Sequence, residues 1–150
     1  MMNQQLSPHF CLSEFTRSET AQRFGIANTP PARIIRNLTL LCQKVLEPLR
    51  EHADQPVIIS SGYRSPELNL HPDVGGSPTS QHLTGEAADI LPPDESTGKE
   101  WFLWMMDHLH FDQLIWEKKL PNSTRHWIHV SYNHTGHQRQ IVLDNLVKYI

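Results

Sequence analysis

At 150 residues, with 38% hydrophobic and 19% charged content, the chain is long enough to bury a core and too apolar for a disordered segment. A net charge of −3 with no Lys/Arg run argues against a nucleic-acid footprint or a polybasic membrane patch. No apolar run approaches the roughly 20 residues of a membrane span. Ten histidines are the outlier in the composition, and they direct attention to metal or proton-transfer chemistry.

The opening "MMNQQLSPHF" lacks a basic region followed by an apolar one, so no secretory signal is visible. Without export, Cys11 and Cys42 are expected to be free, buried thiols. "FTRSETAQRFG" reads as a helix with Thr16 and Glu19 as a capping box and Gly25 as its stop. In "TPPARIIRNLTLLCQKVLEPLREH", Ile34, Leu38, Leu41, Val45 and Leu49 recur at helical spacing and form one apolar stripe. Pro30 and Pro31 suit the start of that helix, and Pro48 should bend or loosen its last turn.

"PVIISSGYR" predicts a short buried strand running into a Gly-containing turn. The Pro-, Gly- and Ser-rich segment from Ser65 to Gln81 predicts a loop, and its length marks it as functional or mobile. "AADIL" predicts a second buried strand closed by Pro92 and Pro93. "STGKEWFLWMMDHL" follows as an amphipathic helix capped by Ser96 or Thr97. "FDQLIWE" and "HWIHVSY" read as strands joined by the turn-rich "KKLPNSTR", with a last strand around "RQIVL". Strands and helices do not alternate regularly. The expected fold is therefore a single α+β domain over residues 1–150, with a small, mainly antiparallel sheet and the N-terminal helices packed on one side.

Chemistry concentrates in "SQHLTGEAADI". A catalytic zinc needs three protein ligands of N, O or S type and one open position, and His82 and Asp89 offer two of them. Gly85 lets the chain turn between them, and Ala87 and Ala88 permit close backbone approach. Asp89, inside an otherwise apolar strand, is the telling residue, because a buried carboxylate needs a metal or cation partner. The third ligand would come from "HWIHVSY". In a regular strand Trp127, His129 and Ser131 share one face, and His126, Ile128 and Val130 share the other.

Taken together, "SGYRSPELN", a Gly-Gly loop, "SQHLTGEAADI" and "WIHVSY" resemble the D-alanyl-D-alanine metallocarboxypeptidase family, whose pattern is S-x-H-x-x-G-x-A-x-D followed by a distant W-x-H. Ser80, His82, Gly85, Ala87, Asp89, Trp127 and His129 fill every pattern position. The N-terminal "CLSEFTRSETA" and the helix after it are similar to the phage- and prophage-associated branch. The resemblance implies one zinc ion held by His82, Asp89 and His129 at the sheet, and a zinc peptidase acting on peptidoglycan stem peptides. It assigns Arg64 of "SGYR" to substrate contact and oxyanion stabilisation, with Ser80 and Trp127 beside the substrate.

The sequence departs from the family at the general base, where a Glu often lies three residues before the third ligand. His126 stands there instead. Either His126 takes the proton, or Glu117 reaches the site across the hairpin, or neither serves. A carboxylate is the commoner hydrolase solution and favours Glu117. If neither serves, the alternative is a catalytically inactive, zinc-stabilised module that binds cell wall or a protein. No H-E-x-x-H is present, and His134 and His137 are expected to be solvated. With no signal visible, the chain is expected in the cytoplasm until release, acting on the cell wall after phage-type lysis; the sequence does not fix the oligomeric state, and a monomer is the favoured one.

Overall fold

The structure, a computed structural model, describes residues 3–118, 125–136, 138–143 and 146–149. It begins with a small antiparallel pair, β1 (Gln5–Ser7) and β2 (Phe10–Cys11), followed by the short helices α1 (Leu12–Thr16) and α2 (Glu19–Phe24). The expected Thr16–Glu19 capping box does not form. Ser18 caps α2 by accepting from the Ala21 N–H at 3.2 Å, and Glu14 accepts from the Cys11 N–H at the start of α1. Gly25 ends α2 in the left-handed conformation, as its position predicts.

The predicted long helix is a composite of α3 (Ala32–Leu41), a π-helical turn (Cys42–Leu46) and α4 (Glu47–Ala53). Pro48 explains the break. It has no N–H, and its ring crowds the carbonyl four residues earlier, so the turn before it widens and the Glu47 N–H reaches back to Cys42 O. The stripe survives this, since Ile34, Leu38, Leu41, Val45 and Leu49 are all buried. Cys42 is buried within the same rod, and burial pushes its thiol up to about 12. Cys11 is only partly buried, and both cysteines are free.

The main sheet has six strands in the order β3 (Ile58–Ser61), β4 (Ala87–Leu91), β6 (His126–Ser131), β5 (Gln113–Lys118), β7 (Gln140–Leu143) and β8 (Leu146–Tyr149). Every pair is antiparallel except β5–β7. β4 is buried from Ala87 to Ile90, whereas β3 is an edge strand whose Ile58 is 51% exposed, so the buried strand expected there has one open side. The expected loop after Arg64 contains a helix, α5 (Pro66–Leu70), capped by Ser65, and it ends in a 3₁₀ turn (Gln81–Thr84). Asp94, rather than Ser96 or Thr97, caps α6 (Glu95–His108) by accepting from the Thr97 N–H at 2.7 Å. The predicted turn at 119–124 and His137 lie outside the described residues; His134 is exposed.

The sheet's two faces differ. Ile59, Ala88, Ile90, Leu114, Trp116, Ile128 and Val130 join the α3–α4 rod and Trp101, Phe102 and Met105 of α6 in one apolar cluster. Alternate residues of β4, β5 and β6 (Asp89, Glu117, His129) face the other way and carry the polar chemistry, and a register shift between Ile59 and Ser61 brings Ser61 opposite Asp89. Among the described residues no helix is long and apolar enough to cross a membrane.

Candidate metal centre

Strand register assembles the centre. Asp89 of β4 lies opposite His129 of β6, and His129 lies opposite Ile115 of β5, with Glu117 opposite Trp127 one step further along the same face. His82 comes from the 3₁₀ turn that delivers the chain into β4. Gly85 closes that turn at φ +72°, and any Cβ there would collide with Ile34 of α3. Only glycine satisfies both the backbone sign and the close approach to the helical rod.

His82 Nε2 lies 3.3 Å from Asp89 Oδ1, and His129 Nδ1 lies 3.1 Å from the same oxygen. One ligand atom from each of the three residues falls within 4.8 Å of the others, which is the spacing of a shared metal. His82 Nδ1 pairs with the Gly62 carbonyl at 2.6 Å. Since a carbonyl only accepts, that nitrogen carries a proton, and Nε2 is the ring nitrogen that faces Asp89 and the metal position. Two imidazoles and one carboxylate, all buried, are a donor set that suits zinc. Burial pushes the Asp89 carboxyl up, but hydrogen bonds from His129 and His82 outweigh it and hold the group well below the usual carboxylate range. Asp89 is therefore ionised and ready to ligate.

Arg64 and Glu117 flank this cluster. Arg64 Nη2 stands 3.7 Å from Asp89 Oδ2, and its Nε donates to Ser61 Oγ at 3.3 Å. Burial lowers its guanidinium pKa, while the Asp89 and Glu117 carboxylates act in the opposite sense. Glu117 accepts from the Trp127 side chain; its carboxyl is pushed up by burial first, with His129 opposing and Asp89 reinforcing the rise. Arg64, Glu117 and Trp127, with Ser80 and the three cluster residues, line one cavity of about 700 Å³. Ser80 also accepts from the His82 N–H at 3.2 Å, so it orders the turn that presents His82.

His126 is placed elsewhere. It packs on the core face, with its ring stacked on Trp116 at 4.8 Å, and lines a separate cavity with Pro92, Pro93 and Asp94. The regular alternation of β6 puts it on the side away from His129.

Asn69, Ser61 and the Gly62 carbonyl also shape the site, and the sequence pattern assigned them no role. They act through folded contacts between distant loops. All three lie within "SGYRSPELN", which is their trace in the sequence.

Three donors that can hold one metal, with a buried carboxylate among them and an arginine at the rim, set in an open cleft on a mainly antiparallel sheet, form a centre of the metallohydrolase type. Residues 8–131 match the family model described as Peptidase M15, and the chain belongs to that family. No curated protein matches the chain. Zinc is the metal of these peptidases, His82, Asp89 and His129 are the donors available for it, and the family implies a peptide substrate.

Proposed function

We propose that the protein is a single-domain, monomeric zinc peptidase that hydrolyses peptidoglycan stem peptides, of the D-Ala-D-Ala carboxypeptidase or endopeptidase type. The observation that carries this reading is the convergence of Arg64 and Glu117 on the cavity that holds His82, Asp89 and His129. Bound zinc supplies Lewis acidity to a scissile carbonyl and makes a water nucleophilic near neutral pH.

Glu117 takes the proton of the attacking water and returns it to the leaving amine. Its raised proton affinity, from burial, suits a group that holds a proton between two transfers. The contact with Trp127 fixes the carboxylate's orientation. Arg64 meets the negative charge that develops on the carbonyl oxygen, or the substrate's own carboxylate, with a planar donor fork. Ser80 and Trp127 border the peptide in the same cavity. His126, on the opposite face, receives no step. Action on the cell wall after phage-type lysis belongs to the same reading and rests on the resemblance of "CLSEFTRSETA".

The test is incubation of zinc-loaded protein with purified peptidoglycan. Free D-alanine is the carboxypeptidase outcome, and larger peptide fragments are the endopeptidase outcome. Full zinc occupancy with neither product overturns the reading and favours a binding module.

A further inference from the structure

Arg64 is useful only if its fork is aimed, and one buried amide does the aiming. We propose that Asn69 is the positioning residue for Arg64 and that Gly76 locks Asn69 in place, an inference that rests on the role proposed above for Arg64. Asn69 is 1% exposed, and a buried amide must spend its hydrogen bonds on specific partners. Its Oδ1 accepts from Arg64 Nη1 at 3.2 Å, and its Nδ2 donates to the Ser77 carbonyl at 2.9 Å. Its own carbonyl accepts from the Gly76 N–H at 2.9 Å. The side chain thus ties the guanidinium to the segment that follows α5.

Gly76 is required for this fit by space rather than by backbone sign. A Cβ there would overlap Asn69 Oδ1 and stand 3.0 Å from Arg64 Nη1. The guanidinium is held along three directions: Nε by Ser61, Nη1 by Asn69 and Nη2 by the Asp89 charge. Of the two neutral acceptors, Ser61 takes Nε, and Asn69 takes a terminal nitrogen of the fork, the one beside the Nη2 that faces Asp89. Removing it leaves Nη1 without its acceptor and only Ser61 to oppose the Asp89 attraction, so the fork turns toward a zinc ligand instead of the substrate. The neighbouring turn does not need Asn69, because the Val74 and Gly75 N–H groups both close on the His71 carbonyl.

Two variants reach the same contact from different sides. Asn69→Ala deletes the acceptor, and Gly76→Ala displaces it while leaving Asn69 and Arg64 chemically intact. Each is expected to lower kcat on a soluble stem pentapeptide ending in D-Ala-D-Ala by about tenfold, the worth of one hydrogen bond to a charged group. Zinc content should not change. In an Arg64→Ala background, Asn69→Ala should cost nothing further, since coupled residues are non-additive. Equal losses in both backgrounds would overturn the proposal.

A second readout does not depend on hydrolysis. The guanidinium N–H signals of Arg64 in ¹H–¹⁵N spectra, assigned by their loss in Arg64→Lys, should shift and exchange faster with water in Asn69→Ala and Gly76→Ala. Unchanged Arg64 signals in both variants sink the inference even if the wild type is an active peptidase. Shifted signals in a wild type without activity would leave Asn69 in place and remove the peptidase reading instead.

Discussion

His126 and His129 lie on one strand, three residues apart, and both are 9% exposed, yet they belong to different chemistry. His129 turns its Nδ1 to Asp89 at 3.1 Å and meets the His82 ring edge-on at 5.2 Å. His126 lies flat on Trp116 among the apolar residues of the other face. Burial and residue type are therefore the same in the two, and the strand's alternation alone decides which faces Asp89 and His82 and which packs on Trp116. Asp89 opposes His129 because β4 and β6 pair as they do; a slip by one residue would exchange the faces and bring His126's neighbours to the site instead.

The sharpest way to break that comparison is to remove each histidine in turn. His129→Ala and His82→Ala are expected to lose the stoichiometric zinc and all activity, because two protein ligands do not hold a catalytic metal. His126→Ala should keep full zinc content and most of the turnover per metal. Its cost should appear in the melting temperature, through the lost stack on Trp116. Elemental analysis beside thermal melts checks both. Zinc loss in His126→Ala with retention in His129→Ala would reverse the assignment of the faces.

Glu117→Gln should come next in size. It keeps the shape and the partner Trp127 but cannot take a proton, so zinc binds normally and hydrolysis falls by about a hundredfold. Product release and zinc content measured on the same sample decide it. Full activity in Glu117→Gln would remove Glu117 from the mechanism.

On the apolar face, Ile128→Val sharpens the contrast from the other side. Ile128 is fully buried between the two strand positions that point at the site, so losing one methyl group should cost about 1 kcal/mol of stability. The zinc content and the kcat should stay at wild-type values. Chemical denaturation gives the first quantity, and a changed kcat would mean that the faces are coupled through the strand.

Much of this division was legible in the chain. Helical spacing from Ile34 to Leu49 marked a packing face, and Asp89 stood out because "AADIL" offers it no local partner. What could not be read depends on distant residues. Thr16 and Ser18 are both good caps two positions apart, and the choice falls to Ser18, with Phe15 of α1 buried just before them. β3 reads as a buried strand, but strand order makes it an edge and leaves Ile58 in solvent. α5 lies in a Pro- and Ser-rich stretch that reads as a loop; its Ser65 cap and Asn69's tie to Arg64 belong to the tertiary structure. The π-helical turn was half visible, since Pro48 announces a disturbance without saying how the backbone absorbs it.

The smallest expected effect belongs to a region on neither face and serves as a control. Glu47 at the start of α4 accepts from Ser7 Oγ at 2.7 Å and from the His9 N–H at 2.6 Å, and pairs with His9 Nδ1 at 2.8 Å, so it fastens the β1–β2 pair to the rod. Burial pushes its carboxyl up, but these partners outweigh burial and lower it below its ordinary 4.5. A carboxyl held low in the folded state is protonated more readily in the unfolded state. The unfolded chain therefore takes up the proton first as pH falls, and the contribution, complete above about pH 4.5, is lost as pH drops through the lower folded value. Glu47→Gln should cost roughly 1 kcal/mol at neutral pH and flatten the acid limb of the melting curve. Asp89 has the same sign, but it is present in both proteins and cancels in their difference. Melting temperatures of the two proteins from pH 7 down to pH 3 provide the measurement. A gap between them that stays constant as pH falls would mean that Glu47 is not held ionised by Ser7 and His9, and a change in zinc content would mean that this corner of the fold reaches the site.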